Sequence, residues 1–201
     1  METNSATKGF KVKGIHIIDE NHFIACISNF KIGQIEGHRC QDHDNLTPEQ
    51  LKFDPRFQPK QMDKNRYQSR IVLMKMDFTP DDIVTEKRGP ADSSEFTVLD
   101  HYDFDGAPVA VDDIAFDDGV ALVSDQHNDR VVIFSVDITA KNALTFISEK
   151  TGYLMPHGLT MSKALDLVAV TCYGDNSIHI QPLSVFLNDT NIPNSWLLVK
   201  K

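Results

Sequence analysis

The chain has 201 residues, 41% hydrophobic and 24% charged, with a formal net charge of −9 at pH 7. That apolar content suffices for one sizeable folded domain and excludes bulk disorder. The acidic balance, 29 acidic against 20 basic side chains, repels phosphate backbones and argues against nucleic acid as a partner.

The leading stretch, METNSATKGFKVKG, lacks the apolar centre of a secretory leader. No run approaches the roughly 18 apolar residues that cross a bilayer, so no membrane partner is expected. Cys26, Cys40 and Cys172 are odd in number and scattered, which fits reduced thiols and a cytoplasmic location. The sequons at Asn45 and Asn188 are then chance matches.

From Gly14 to Asn29, GIHIIDENHFIACISN reads as two apolar, β-branched strands around a polar turn. An insertion follows, spanning about Phe30 to Gln68. It holds GHRCQDHDN, where His38, Cys40 and His43 offer imidazole and thiolate ligands to zinc or another transition metal, although the spacing is not that of a zinc finger. The next residues, LTPEQLKFDPRF, carry the marks of a short capped helix: Thr47 as N-cap, Pro48 in the first helical position and Gln50 as the reciprocal cap. Arg70–Asp77 (RIVLMKMD) and Glu95–Tyr102 (EFTVLDHY) complete a first set of four strands.

Asp112–Phe134 contains three short strand signals, DIAF, VALVS and RVVIF, and Ala143–Ser148 (ALTFIS) makes a fourth. His157–Ile180 repeats the pattern: Leu159 falls on Ile114, Met161 on Phe116 and VAVTC on ALVSD, with SWLLVK (Ser195–Lys200) as the last strand. The front segment is a third copy, with ACISN set against ALVSD and RIVLMKMD against RVVIFSVD. Four short antiparallel strands per repeat of this length is the pattern of a propeller blade. The expected fold is therefore all-β, one propeller-type domain of three four-stranded antiparallel blades (about 10–102, 107–150 and 154–201). It would be a half-ring or part of a six- to seven-bladed ring, since rings usually close at about 4–8 blades. Blade faces left without neighbours imply pairing with a second copy of the chain, or with further blades of a longer one.

At MPHGLTMSKALDLVAVTCYGDNSIHI the chain resembles the repeats of YVTN, NHL and lactonase-type propellers. In those repeats a Pro-x-Gly leads into the inner strand, and a small hydroxyl residue with Asn or Asp closes the second. VSDQHNDRVVIF is similar to an NHL-type blade in the same way. The resemblance implies the fold; a propeller hosts many unrelated activities.

In an antiparallel meander the start of strand one and the loop between strands two and three lie at the same end. That end collects Asp112, Asp113, Asp125, His127, His157, Tyr173 and Asp175, our candidate ligand-binding residues, together with Lys13 and the long insertion. The primary expectation is a non-catalytic module that binds a small molecule or a protein at this end. The alternative, implied by similarity to gluconolactonase and strictosidine-synthase-like propellers, is a metal-dependent lactonase or hydrolase with Asp113, Asp125 and His157 as ligands to a divalent cation, calcium or zinc. Pro156-His157-Gly158 places imidazole where those enzymes have the asparagine of Pro-Asn-Gly, which disfavours calcium. Against both stands the ordinary use of such Asp residues as turn caps.

Overall fold

Strings such as VALVSD and RVVIFSV, apolar at nearly every position, suit strands that are covered on both faces. The computed structural model, which describes residues 11–28, 69–76, 96–104, 109–188 and 197–200, folds them that way. Among the described residues, twelve strands form three four-stranded sheets. The first contains β1 (Lys11–Ile17), β2 (His22–Ser28), β3 (Ser69–Met76) and β4 (Phe96–Asp103). The second contains β5 (Val111–Asp117), β6 (Val120–Asp125), β7 (Arg130–Val136) and β8 (Leu144–Thr151). The third contains β9 (Pro156–Ser162), β10 (Leu167–Cys172), β11 (Ser177–Gln181) and β12 (Leu197–Lys200). Each strand pairs antiparallel with its successor, so every sheet is a meander and hence a blade.

The middle blade shows why its strands are apolar throughout. Ala121, Val123, Val132 and Phe134 pack toward the first blade with Ile24, Cys26, Ile71 and Leu73. Their sequence neighbours Leu122, Val131 and Ile133 face the other way, onto Val168, Val170 and Cys172 of the third. Alternation sends successive side chains to opposite faces, and both faces here meet a neighbouring sheet. Complete burial of one such side chain stabilises the fold by about 1.5–3 kcal/mol.

The sequence does not signal the helical turn α1 (Leu183–Asn188), which leaves β11 and buries Leu183 and Phe186 against the third blade. Asp166 holds its start, accepting from the Ser184 backbone N–H (2.7 Å) and hydroxyl (2.9 Å). The helix expected after Thr47 lies outside the described residues, as does the His38, Cys40 and His43 cluster.

Pairing also corrects the alignment of the first repeat. Gly14 pairs with Cys26 and Ile15 with Ala25, as Ile114 pairs with Val123 and Leu159 with Val170. Cys26, not Ser28, is therefore the counterpart of Ser124 and Thr171. A two-residue slip leaves the facing of every side chain unchanged, so hydrophobic pattern alone does not detect it.

The inner strands of the first two blades approach most closely at Gly14. A Cβ there would stand 2.8 Å from Asp113 Oδ1 and 2.8 Å from the Ile114 nitrogen. Gly14→Ala is expected to cost about 1–3 kcal/mol of unfolding free energy by overpacking. Gly158→Ala, whose Cβ would meet only the Thr171 hydroxyl within 3 Å, should cost less. Urea unfolding of the two variants checks the order.

Candidate functional site

In all three inner strands the register slips at the same place: between Val12 and Gly14, between Val111 and Ile114, and opposite the step from Val170 to Cys172. A slip of this kind re-aims a side chain out of the ladder. The residues it releases are equivalent in the repeat: Lys13, Asp112 and His157. At one end of the molecule Asp112 and His157 meet, and the Lys13 charge acts on Asp112. His157 Nδ1 lies 2.9 Å from Asp112 Oδ2, the imidazole more than half exposed and the carboxylate largely covered. Gln126 Nε2 reaches the same oxygen at 3.4 Å, and the Tyr173 ring stands 6.4 Å from the His157 ring. Burial raises the pKa of Asp112 above the ordinary carboxylate value, and the charges of His157 and Lys13 pull against that shift. Nδ1 is held by a carboxylate, which leaves Nε2 as the histidine atom free to meet a ligand.

The residue after each slip has a different task. The N–H groups of Gly14, Asp113 and Gly158 bond to Cys26 Sγ, Ser124 Oγ (2.9 Å) and Thr171 Oγ1 (2.8 Å) respectively. Asp113 also spans the blades: Oδ2 accepts the Leu159 N–H at 2.8 Å, and Oδ1 accepts its neighbour Ile114 N–H at 2.8 Å. Ser124 reaches forward to the His157 carbonyl at 2.9 Å. In the same way Ser69 donates to the Val109 carbonyl at 2.6 Å across the first blade boundary. Thr171 bonds within its own blade, to Gly158, and is exposed.

Of the residues singled out in the sequence, Asp112 and His157 come together and Tyr173 flanks them. Asp125 is fully buried and engaged by others: Arg130 Nε at 2.8 Å, Asn128 Nδ2 at 2.7 Å and the Ala110 N–H at 3.2 Å. His127 is exposed on the β6–β7 turn. Asp113, Asp125 and His157 do not gather as one ligand set. Among the described residues the trio that does is Cys172, Asp175 and His179, whose ligand atoms lie within 4.8 Å of one another. Sequence reasoning missed Cys172 and His179 here. Their signal was present in the spacing Cys-x2-Asp-x3-His, but only strand pairing says that those positions face one another.

The chain leaves the first sheet at Ser28 and returns to it at Ser69, whose hydroxyls are 3.1 Å apart.

No family model matches the chain, and no curated protein does. Among solved structures, the tricorn protease is similar over 96% of this chain, at 11% identity and a TM-score of 0.38. A candidate 6-phosphogluconolactonase from Bacteroides fragilis is similar over 98%, at 13% identity and a TM-score of 0.44. The chain spans 18% of the first and 55% of the second. At such distance neither says anything about activity, and the blade architecture stands on the strand order itself. No helix among the described residues is long and apolar enough to cross a membrane.

Asp125→Ala strips a half-buried guanidinium of its nearest partner and is expected to cost about 3 kcal/mol. Among the described residues Arg130 then keeps the Glu149 carboxylate, whose side chain is 41% exposed. Denaturant unfolding checks it; a stability change near zero would show that this buried pair does not hold the fold.

Proposed function

We propose that the chain is a propeller-type binding module that takes a small polar ligand where Lys13, Asp112 and His157 converge. The observation that carries this reading is the repeated register slip, which delivers an ammonium, a carboxylate and an imidazole from three equivalent positions to one end. Three groups of different charge and hydrogen-bonding sense suit a ligand with both donor and acceptor groups. Tyr173 adds an apolar wall beside His157. The insertion, anchored at Ser28 and Ser69, would add contacts to a larger partner such as a protein. We read kinship with YVTN and NHL repeats from the residues quoted above, not from the comparisons.

A second reading, a lactone hydrolase, draws on the same pair: a histidine oriented through Nδ1 by a carboxylate presents Nε2 as a general base. The calcium-dependent version finds less support. Asp113 and Asp125 are occupied by backbone N–H groups and Arg130, and imidazole is a poor calcium ligand.

One experiment separates the readings. A panel of small carboxylates, sugars and sugar lactones is screened by thermal shift, and hits are measured by calorimetry and for turnover. Binding without turnover, weakened about tenfold or more by Asp112→Asn or His157→Ala, is the expected result, since a hydrogen bond to a charged group contributes about 1.5–3 kcal/mol. Lactone turnover lost in His157→Ala favours the hydrolase. Hits indifferent to both substitutions defeat both readings.

The outer blade faces suit pairing with a second copy or with further blades. On β1, Val12, Ile15 and Ile17 are 57–68% exposed, and on the third blade Leu167, Ile178 and Thr171 are exposed as well. Thr171 occupies the position from which Ser124 clasps the next blade. Light scattering is expected to give twice the chain mass of 22.6 kDa, and a monodisperse monomer would exclude self-pairing.

A further inference from the structure

The β10–β11 hairpin carries more polar chemistry than a turn needs. Cys172 and Ser177 face each other where the hairpin closes, and His179 is the next residue on the same face of β11. The Ser177 hydroxyl lies 2.5 Å from Asp175 Oδ1 and 3.0 Å from His179 Nε2, and it also bonds to the Cys172 sulfur. A thiol, a carboxylate and an imidazole thus surround one small group.

We infer that Cys172 Sγ, the Asp175 carboxylate and the His179 imidazole form a zinc site at the mouth of this hairpin. The donor set decides the ion: sulfur and nitrogen exclude calcium and magnesium, while one Cys, one His and one carboxylate with a position left open suit zinc. Ligand atoms around a tetrahedral zinc stand roughly 3.5 Å apart, as bond lengths of about 2.0–2.3 Å require. The present limit of 4.8 Å therefore requires the side chains to close by about 1 Å and the Ser177 hydroxyl, which now bonds to all three, to turn aside.

The backbone beneath is braced. The Tyr173 and Gly174 N–H groups donate to the carbonyls of Met155 (3.0 Å) and Leu154 (3.1 Å). Gly174 allows this approach, because a Cβ there would sit 2.6 Å from Leu154 Cγ. Outer support exists too. The Tyr153 ring packs edge-on to His179 at 5.2 Å, and its hydroxyl accepts from Gln181 Nε2 at 3.0 Å. The packing restrains the plane of the His179 ring. Asp175 and Asp129 make the surroundings of the sulfur negative, which favours a cation. Coordination balances simply: the Cys172 S–H bond breaks, sulfur keeps the electron pair and donates it to Zn2+, and the proton leaves to buffer.

The site shares no ligand side chain with the Lys13, Asp112 and His157 cluster, so each can fail without the other. Full-length protein, stripped of metal with a chelator, is titrated with zinc chloride by calorimetry and with cobalt chloride by absorption. The expected result is one zinc equivalent and a thiolate-to-cobalt charge-transfer band. Cys172→Ser should abolish the band, and both Cys172→Ser and His179→Gln should weaken zinc at least about tenfold, while His157→Ala changes neither. Circular dichroism verifies folding, and His179→Gln carries the test if the cysteine variant misfolds. Absence of a zinc equivalent overturns the site. So does a zinc equivalent that survives Cys172→Ser and His179→Gln but is lost when His38, Cys40 and His43 are replaced.

Discussion

Everything at the functional end depends on one recurrent irregularity, the slip of register at the start of each inner strand. A regular ladder would lay Lys13, Asp112 and His157 on a face of their sheets, where Asp112, in the middle blade, would meet the apolar contacts of a neighbour. The slip frees one residue per blade from that constraint and hands the next residue's N–H to a small polar side chain on the second strand. Because the repeat places the slip identically three times, three side chains of different chemistry reach one end without any one loop having to be long.

The same irregularity binds the blades together. Asp113 meets Gly14 behind it and the Leu159 N–H ahead of it, so one carboxylate registers three inner strands. Ser69 and Ser124 each reach a carbonyl of the following blade. At the opposite end of the inner strands, Asp117 accepts the Lys163 N–H at 2.7 Å, and the Lys163 ammonium bonds to Asp118. Apolar burial supplies most of the driving force between sheets, but it is non-directional. These hydrogen bonds select one rotational setting among the many that burial alone would accept.

Two kinds of polar cluster emerge, and their environments separate their roles. Asp112 and His157 lie where solvent reaches the imidazole, as a site for exchange with a ligand requires. Cys172 is nearly buried, and burial, with Asp175 second, pushes its thiol up to about 12. What sets this thiol apart is its company of carboxylate, hydroxyl and imidazole. Cys26, raised to about 12 by burial at the first blade boundary, sits instead in the apolar core, where the charges of Asp113 and Asp112 also disfavour its thiolate.

The three-blade reading was legible in the chain because it rests on local periodicity: strands covered on both faces write continuous apolar strings, and turn residues punctuate them. Even the interrupted first blade showed through, since RIVLMKMD preserves the pattern of RVVIFSVD. Register was not legible, because a two-residue slip alters no facing, and so Cys26 passed for an ordinary core residue while Ser28 took its place in the alignment. The end of the molecule that gathers Asp112 and His157 followed from meander topology. That Asp125 is held by Arg130 and Asn128, that Asp113 binds backbone on the next blade, and that Cys172 meets His179 depend on distances between residues far apart or across a hairpin. Composition and spacing determine which groups a chain possesses and which face of a strand they occupy; only the packing of one sheet on another decides which of those groups already have partners.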